Sequence, residues 1–271
     1  MRDCPVSVVR LERCIGGAAA RNLGLSRSSS NFVAFLDDDD EWLPEKMARQ
    51  IAYFEDHPDA VLVSCGYYRV EGGMEYEEGC SEDFVRRYCE YDNFWGSFSF
   101  FVINRAALTE QALLDPKLPA LQDWDFALRV TRANAFGIVE QPLVRYHAHD
   151  LPRITTKRVN HVRGLRRFYL QHRPYLSDDA RRWLLSRMLF ERSYALSYGR
   201  AKRRLVFASV RLGMRTQLPL AVRLRSMARR LGSLVFQQRT LTKVRCACIG
   251  LWQGLRSRVL SFSRLVRNAN K

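Results

Sequence analysis

The sequence predicts an α/β layered core followed by an all-helical region, on three observations. Residues 1–70 alternate short β-branched runs with helix-forming segments, the order that lays helices onto a sheet. The charge is divided: residues 1–150 hold 15 Lys+Arg against 25 Asp+Glu, a net of −10, while residues 151–271 hold 29 against 3, a net of +26, and the two sum to the chain's +16. From about Thr156, apolar residues recur at spacings of three and four, the period of amphipathic helices. The chain's 271 residues, 47% hydrophobic, suffice for one large domain with an appendage. The expected division is a core over 1–155 and a basic amphipathic helical region over 156–271.

Taken in order, Val6–Leu11 reads as a short strand, ended by Gly16–Gly17. Ala18–Leu25 is rich in strong helix formers. Phe32–Leu36 is a brief apolar run of the kind buried in a parallel sheet, and four aspartates, Asp37–Asp40, follow at its C-terminal end. Pro44 suits the first turn of a helix that continues over Glu45–His57, with Met47, Ile51 and Phe54 on one face. Ala60–Val70 reads as a strand, residues 71–95 carry no clear pattern, Ser97–Ile103 is strand-like and Asn104–Gln111 reads as a short helix. Asp123–Ala133 has helical spacing with Trp124, Leu128 and Val130 as packing residues, and Phe136–Tyr146 is a last strand. Val159–His172, Asp178–Tyr198, Lys202–Arg215 and Leu218–Phe236 read as successive helices, with a fifth from about Thr240. Ser177 is the expected N-cap of the second, with Asp178 and Asp179 on its first turn.

Met1–Gly17 carries Arg2, Asp3, Arg10, Glu12 and Arg13, which interrupt any signal-like apolar run. No stretch reaches the roughly 18 uncharged apolar residues of a membrane span. The seven cysteines are scattered and lack zinc-site spacing, so free, mostly buried thiols and a cytoplasmic location are expected.

Four consecutive aspartates repel one another unless a positive partner sits among them. A hard divalent cation such as Mg²⁺ or Mn²⁺ prefers carboxylate oxygen, and ligands of open α/β sheets bind beyond the carboxyl ends of the strands. One reading of Asp37–Asp40 is therefore a metal held against a diphosphate; the other is a solvated acidic loop. Asp123 and Asp125 suit a helix first turn as well as they suit chemistry.

The run Gly16-Gly-Ala-Ala-Ala-Arg21-Asn22-Leu-Gly24, followed by Phe32-Val-Ala-Phe-Leu36-Asp37-Asp38-Asp39-Asp40-Glu41-Trp42-Leu-Pro44, resembles the family 2 glycosyltransferases of the GT-A fold. In that family a GxxxARNxG helix precedes a strand ending in FLDxDDxW. Leu121–Phe126 (LQDWDF) is similar to the family's later acidic motif, with Gln122 in place of the usual Glu. The resemblance spans roughly residues 5–155. It implies a Rossmann-like nucleotide-diphospho-sugar transferase core, which would be incomplete at the N-terminus by about two strand–helix units and is followed by the helical region.

The resemblance also assigns roles. Asp39 and Asp37 would hold the divalent cation (Mn²⁺ or Mg²⁺), with His149 as a further metal ligand or phosphate contact. Arg21, Asn22, Asp37 and Asp38 would contact the nucleotide-sugar donor, with a UDP-sugar favoured. Asp123 would be the general base, and Trp124 and Asp125 acceptor contacts, although Trp124 also reads as core or pocket wall. Two histidines at a strand end, His147 and His149, are equally at home on a surface or in a core. The implied reaction is inverting transfer of a hexosyl or N-acetylhexosaminyl group to a saccharide or lipid-linked acceptor, for bacterial surface glycan. A carboxylate is needed because a sugar hydroxyl has a high pKa, and a metal stabilises the leaving diphosphate.

The Arg-rich helices admit three readings: docking on the anionic inner face of the cytoplasmic membrane, nucleic-acid binding, or a plain amphipathic bundle. No helix-turn-helix, RRM or C₂H₂ pattern supports the second. An inactive fragment and a nucleotidyltransferase remain alternatives to an active glycosyltransferase.

Overall fold

The computed structural model describes residues 6–108, 113–148, 158–194, 196 and 199–235. The chain divides between Leu184 and Leu185 into two compact units.

The first unit is built on a mixed sheet. Its elements are α1 (Gly17–Arg27), β1 (Phe32–Ala34), β2 (Asp40–Trp42), α2 (Lys46–Asp56), β3 (Ala60–Glu71), β4 (Met74–Glu78), α3 (Glu82–Tyr88), β5 (Val102–Asn104), α4 (Gln122–Thr131), β6 (Ala135–His147), α5 (Arg158–His172) and the start of α6 (Asp178–Ser193). The strand order is β1-β5-β3-β6-β2, with β4 also on β3. Only β3 and β6 run parallel to each other; the other pairs are antiparallel. β3 is the continuous apolar run expected of a strand covered on both faces, and Val61, Leu62 and Val63 are fully buried. The β3–β6 register shifts at Cys65–Gly66. A Cβ on Gly66 would lie 2.5 Å from the Glu140 carbonyl oxygen, so the close approach at this irregularity requires glycine.

Several expectations change. Val6–Leu11 is not a strand: it has no ladder partner among the described residues, and Val6 and Val8 are 85% and 80% exposed. β-branched alternation specifies a strand only where a neighbour supplies the ladder. Phe32–Leu36 shortens to β1, which lies at the end of the strand order and pairs antiparallel with β5, not in a parallel setting. α2 buries Lys46 and Gln50 alongside the expected Phe54, while Met47 and Ile51 are half-buried and Met47 packs against the core. Gln50 can be buried because its amide donates to the carbonyls of Val63 (2.8 Å) and Phe100 (2.9 Å).

The unpatterned stretch 71–95 contains a hairpin and a helix. Gly72 and Gly73, at φ +60° and +79°, form the two-residue turn between β3 and β4. Ser81 caps α3, its hydroxyl accepting from Phe84 N–H at 3.3 Å. Ser97–Ile103 is not one strand: a 3₁₀ turn over Phe98–Phe100 precedes β5, and Phe98, Ser99, Phe100 and Phe101 are all buried, which strand alternation beside solvent would not allow. Of the helix expected over Asn104–Gln111, Arg105–Ala107 forms a 3₁₀ turn and residues 109–112 lie outside the described residues.

α4 and the last strand form as expected, and Trp124, Leu128 and Val130 are buried. Trp124 stacks on Phe168 of α5 at 4.1 Å. α6 starts with the predicted cap, Ser177 Oγ accepting from Ala180 N–H at 3.2 Å. Of the described cysteines Cys14, Cys65, Cys80 and Cys89, Cys65 alone is buried, where burial of most was expected.

The second unit holds the end of α6 with α7 (Arg200–Met214) and α8 (Leu220–Val235). α7 buries Val206, Ser209 and Gly213. The buried Arg230 of α8 donates to Ser186 Oγ (2.9 Å) and to the Ser209 carbonyl (3.0 Å). No helix among the described residues is long and apolar enough to cross a membrane. The helix expected from Thr240 lies outside the described residues.

Candidate functional site

The aspartate run forms a turn between β1 and β2. Asp40 N–H donates to the Asp37 carbonyl at 3.2 Å, which closes it. Ser99, from the 3₁₀ turn, fixes it from both sides. Its hydroxyl accepts from Asp37 N–H (3.0 Å), and its carbonyl accepts from the Trp42 indole N–H (2.8 Å). The four aspartates then part company: Asp38 is exposed, Asp37 and Asp39 are half-buried, and Asp40 is buried. Neither carboxylate oxygen of Asp40 meets a partner at bonding geometry. Burial pushes its pKa up to about 6, with Asp39 and Asp37 adding to the rise against an opposing pull from the Ser99 hydroxyl.

α1 supplies the countercharge. The Arg21 guanidinium pairs with Asp37 and lies 4.3 Å over the Phe98 ring. Gly17 leaves room for it, since a Cβ there would come 2.9 Å from Arg21 Nη1 and 3.7 Å from Gln122 Oε1. Asp123 completes the group from the first turn of α4. Leu121, the N-cap of that helix, has φ +66°, the one left-handed non-glycine backbone among the described residues. Such strain is held only where surrounding packing fixes it. Asp123 Oδ1 accepts from Trp124 N–H at 2.8 Å. Burial raises its pKa to about 6, with backbone hydrogen bonds and Arg21 pulling down and Asp37 pushing up. Arg21, Asp37 and Asp123 thus act on one another electrostatically although far apart in sequence.

Residues 2–111 match the sequence model described as Glycosyl transferase family 2. That match covers residues 2–111 of the 271, and shows similarity to the family over that region. An amylovoran biosynthesis glycosyltransferase of Erwinia amylovora is 47% identical over 58 residues, 21% of this chain and 22% of that protein. An uncharacterized glycosyltransferase of Methanocaldococcus jannaschii is 27% identical over 151 residues, 54% of this chain and 51% of that protein. A mannosyltransferase of Pyrobaculum calidifontis, solved with GDP-Man and Mn²⁺, superposes with a TM-score of 0.47 at 16% identity, covering 91% of this chain and 70% of that one. The chain spans about half the length of the first of its more extensive curated relatives.

Not every residue expected at the site reaches it. Asn22, expected on the donor, clamps the backbone of Leu114: its amide donates to the carbonyl (2.8 Å) and accepts from the N–H (2.9 Å). Trp124, expected on the acceptor, is fully buried and donates to the Cys89 carbonyl at 2.7 Å, as its core reading has it. Asp125, also expected on the acceptor, is buried between Arg129 (3.0 Å) and His172 Nε2 (2.8 Å), and His172 Nδ1 faces Arg132 at 3.1 Å. Burial alone would raise its pKa; the bonds to His172 and Arg129 outweigh that and hold it below the usual value. Asp125 therefore ties α4 to α5. His149 lies outside the described residues. His147, at the end of β6, stands 3.3 Å from Glu41 beside the aspartate turn.

Ser99, Phe98 and Leu121 are the site residues that sequence reasoning passed over. Their signal was the FSFF run and an unremarkable leucine, neither of which announces a turn. Lys46 was missed as well: its ammonium is fully buried, 4.4 Å over the Trp42 ring, and without a hydrogen-bond partner. Burial lowers its pKa to about 8.

Among the described residues no three His, Cys, Asp or Glu groups converge as a preformed metal site. The donor set still fits Mg²⁺ or Mn²⁺, because such ions take one or two carboxylates and complete their shell with water and substrate phosphate. Asp37 and Asp39, on one tight turn beside the uncompensated Asp40, are carboxylates of that kind. A surface cavity of about 450 Å³, lined by Asp115, Lys117, Arg129 and Arg167 among others, includes none of these groups.

Proposed function

We propose that the protein is an inverting glycosyltransferase that moves a sugar from a nucleotide-diphosphate sugar to a saccharide or lipid-linked acceptor in bacterial surface-glycan synthesis. The observation that carries the reading is the convergence of Asp123, with a pKa near neutrality, on the Arg21–Asp37 pair at the carboxyl end of β1. A base is most useful when its pKa lies near the working pH. Asp123 accepts the proton of the attacking acceptor hydroxyl. The new glycosidic C–O bond forms as the bond from the anomeric carbon to the diphosphate breaks, and attack from the opposite face inverts that carbon. Arg21 and Asp38 orient the donor. Asp37 and Asp39 would hold a divalent cation, which when bound offsets the charge developing on the leaving diphosphate. The family relative in amylovoran biosynthesis supports a polysaccharide product. A lipid-linked acceptor would place the work at the inner face of the cytoplasmic membrane, and the basic helices favour that over nucleic acid.

The test is a donor screen led by UDP-sugars, with Mn²⁺ or Mg²⁺ and lipid-linked saccharides, reading nucleoside diphosphate release and product anomeric configuration. Transfer with inversion, lost in Asp123→Asn, is expected. A retained anomeric configuration, or transfer undiminished by Asp123→Asn, would sink the assignment.

A further inference from the structure

The second unit carries a surface that glycosyl transfer does not use. From Arg192 to Lys271 the sequence has 19 Lys+Arg and no Asp or Glu. In α7, Phe207 is 56% exposed. Arg203, Arg204 and Arg211, four before, three before and four after it, are exposed with it, so the ring stands among guanidiniums on one helix face. The opposite face of α7 is the buried one, through Val206, Ser209 and Gly213. Among the described side chains of α8 the exposed ones are apolar: Leu220 (55%), Ala221, Leu224 (52%), Ala228 and Leu231, and Leu220, Leu224, Ala228 and Leu231 follow at helical spacing as one stripe. Water would ordinarily select polar residues there.

We propose that α7 and α8 dock on the surface of an anionic lipid bilayer. A helix lies in a membrane interface when it presents apolar side chains to the acyl boundary and cations to the headgroups. Phe207 among its arginines and the leucine stripe of α8 supply both. The absence of acids means that no part of this segment is repelled by an anionic headgroup layer. A polyanion such as nucleic acid would engage the arginines but has no use for exposed Leu220 and Leu224, and on this point lipid is favoured. The inference rests on the membrane-side acceptor reading only for its purpose. Docking itself needs no donor, acceptor or turnover.

The experiment is co-sedimentation of the full chain with vesicles of phosphatidylcholine alone or with phosphatidylglycerol, without donor, alongside a transfer assay. Binding to the anionic vesicles is expected, weakening roughly fivefold for each of Arg204→Gln and Arg211→Gln and about tenfold or more in the double variant Phe207→Ser, Leu224→Ser. These side chains are exposed, and an unchanged circular dichroism spectrum verifies that the variants fold. Equal binding to neutral vesicles, undiminished binding by the serine variant, or binding to DNA with none to vesicles would each overturn the proposal. Docking without transfer would overturn only the enzymatic reading, and transfer without docking only this one.

Discussion

Asp123→Asn should make the protein more stable while removing its activity. Burial moves the Asp123 pKa from 3.8 to about 6, so the folded state holds this proton more tightly than the unfolded state. Stability from that preference is full below pH 3.8, falls as pH rises through the window, and is gone above about 6. At pH 7 the ionised carboxylate therefore costs the folded state an upper bound of ~3 kcal/mol. Discounting for a side chain that keeps some contact with water leaves ~1–2 kcal/mol. Asparagine keeps the shape and the acceptor for Trp124 N–H without the charge. Its melting temperature at pH 7 should exceed that of the parent by roughly 2–8 °C, and the gap should close toward pH 4. Transfer should run the other way. The parent kcat/KM should rise through about pH 6, from about a tenth of its plateau at pH 5 to about nine tenths at pH 7, and the variant should lose about 10²–10⁴-fold. The measurements are thermal melts at pH 4, 5, 6 and 7 with a parallel rate profile. Melting no higher than the parent at pH 7, or a gap independent of pH, would refute the desolvation argument even if activity were lost.

Asp39→Ala and Asp37→Ala should each reduce metal-dependent transfer at least about 100-fold, with a raised Mn²⁺ requirement in a cation titration. Asp125→Ala strands the buried His172 and Arg129 and should cost about 3–5 kcal/mol in denaturant unfolding. Because the Asp125 pKa is held down, its contribution is present at neutral pH and is lost as pH falls through its folded value, so the parent should lose stability in acid and the variant less so. Lys46→Met should stabilise the protein at pH 7, since the pKa of about 8 shows the folded state disfavouring the charged amine. The gain should shrink as pH rises from 8 to 10.5, where the parent itself recovers, and a constant gap across melts in that range would contradict it.

What the sequence discloses of this site is uneven, for physical reasons. α1, β3, α4 and β6 follow from helix propensity, apolar runs and period, because each is long enough for its pattern to show. β1 and β2 have three residues each, and what defines them is the partner across the sheet. Asp37, Asp39, Arg21 and Asp123 stand in motifs that can be read along the chain. Ser99 cannot be found that way: its contribution is a hydroxyl and a carbonyl aimed at residues some sixty positions earlier. Asn22, Trp124 and Asp125 show the converse. They belong to motifs that mark a site, yet their side chains hold the walls around it.

The electrostatics of the turn constrain what can bind there. Asp37 is paired with Arg21 and half-buried, Asp38 is exposed, Asp39 is half-buried, and Asp40 is buried with its pKa displaced upward. A bare diphosphate would meet these negative charges with one guanidinium to offset them, an arrangement that repels it. A divalent cation, when bound, would offset that charge. On the proposed reading Asp37 and Asp39 would hold that cation, and Arg21 orients the donor. Such a cation, when bound, would make the potential at Asp123 more positive, which would favour its ionised form. Asp123, near half-protonation at about pH 6, is the group that such a charge would ready as a base.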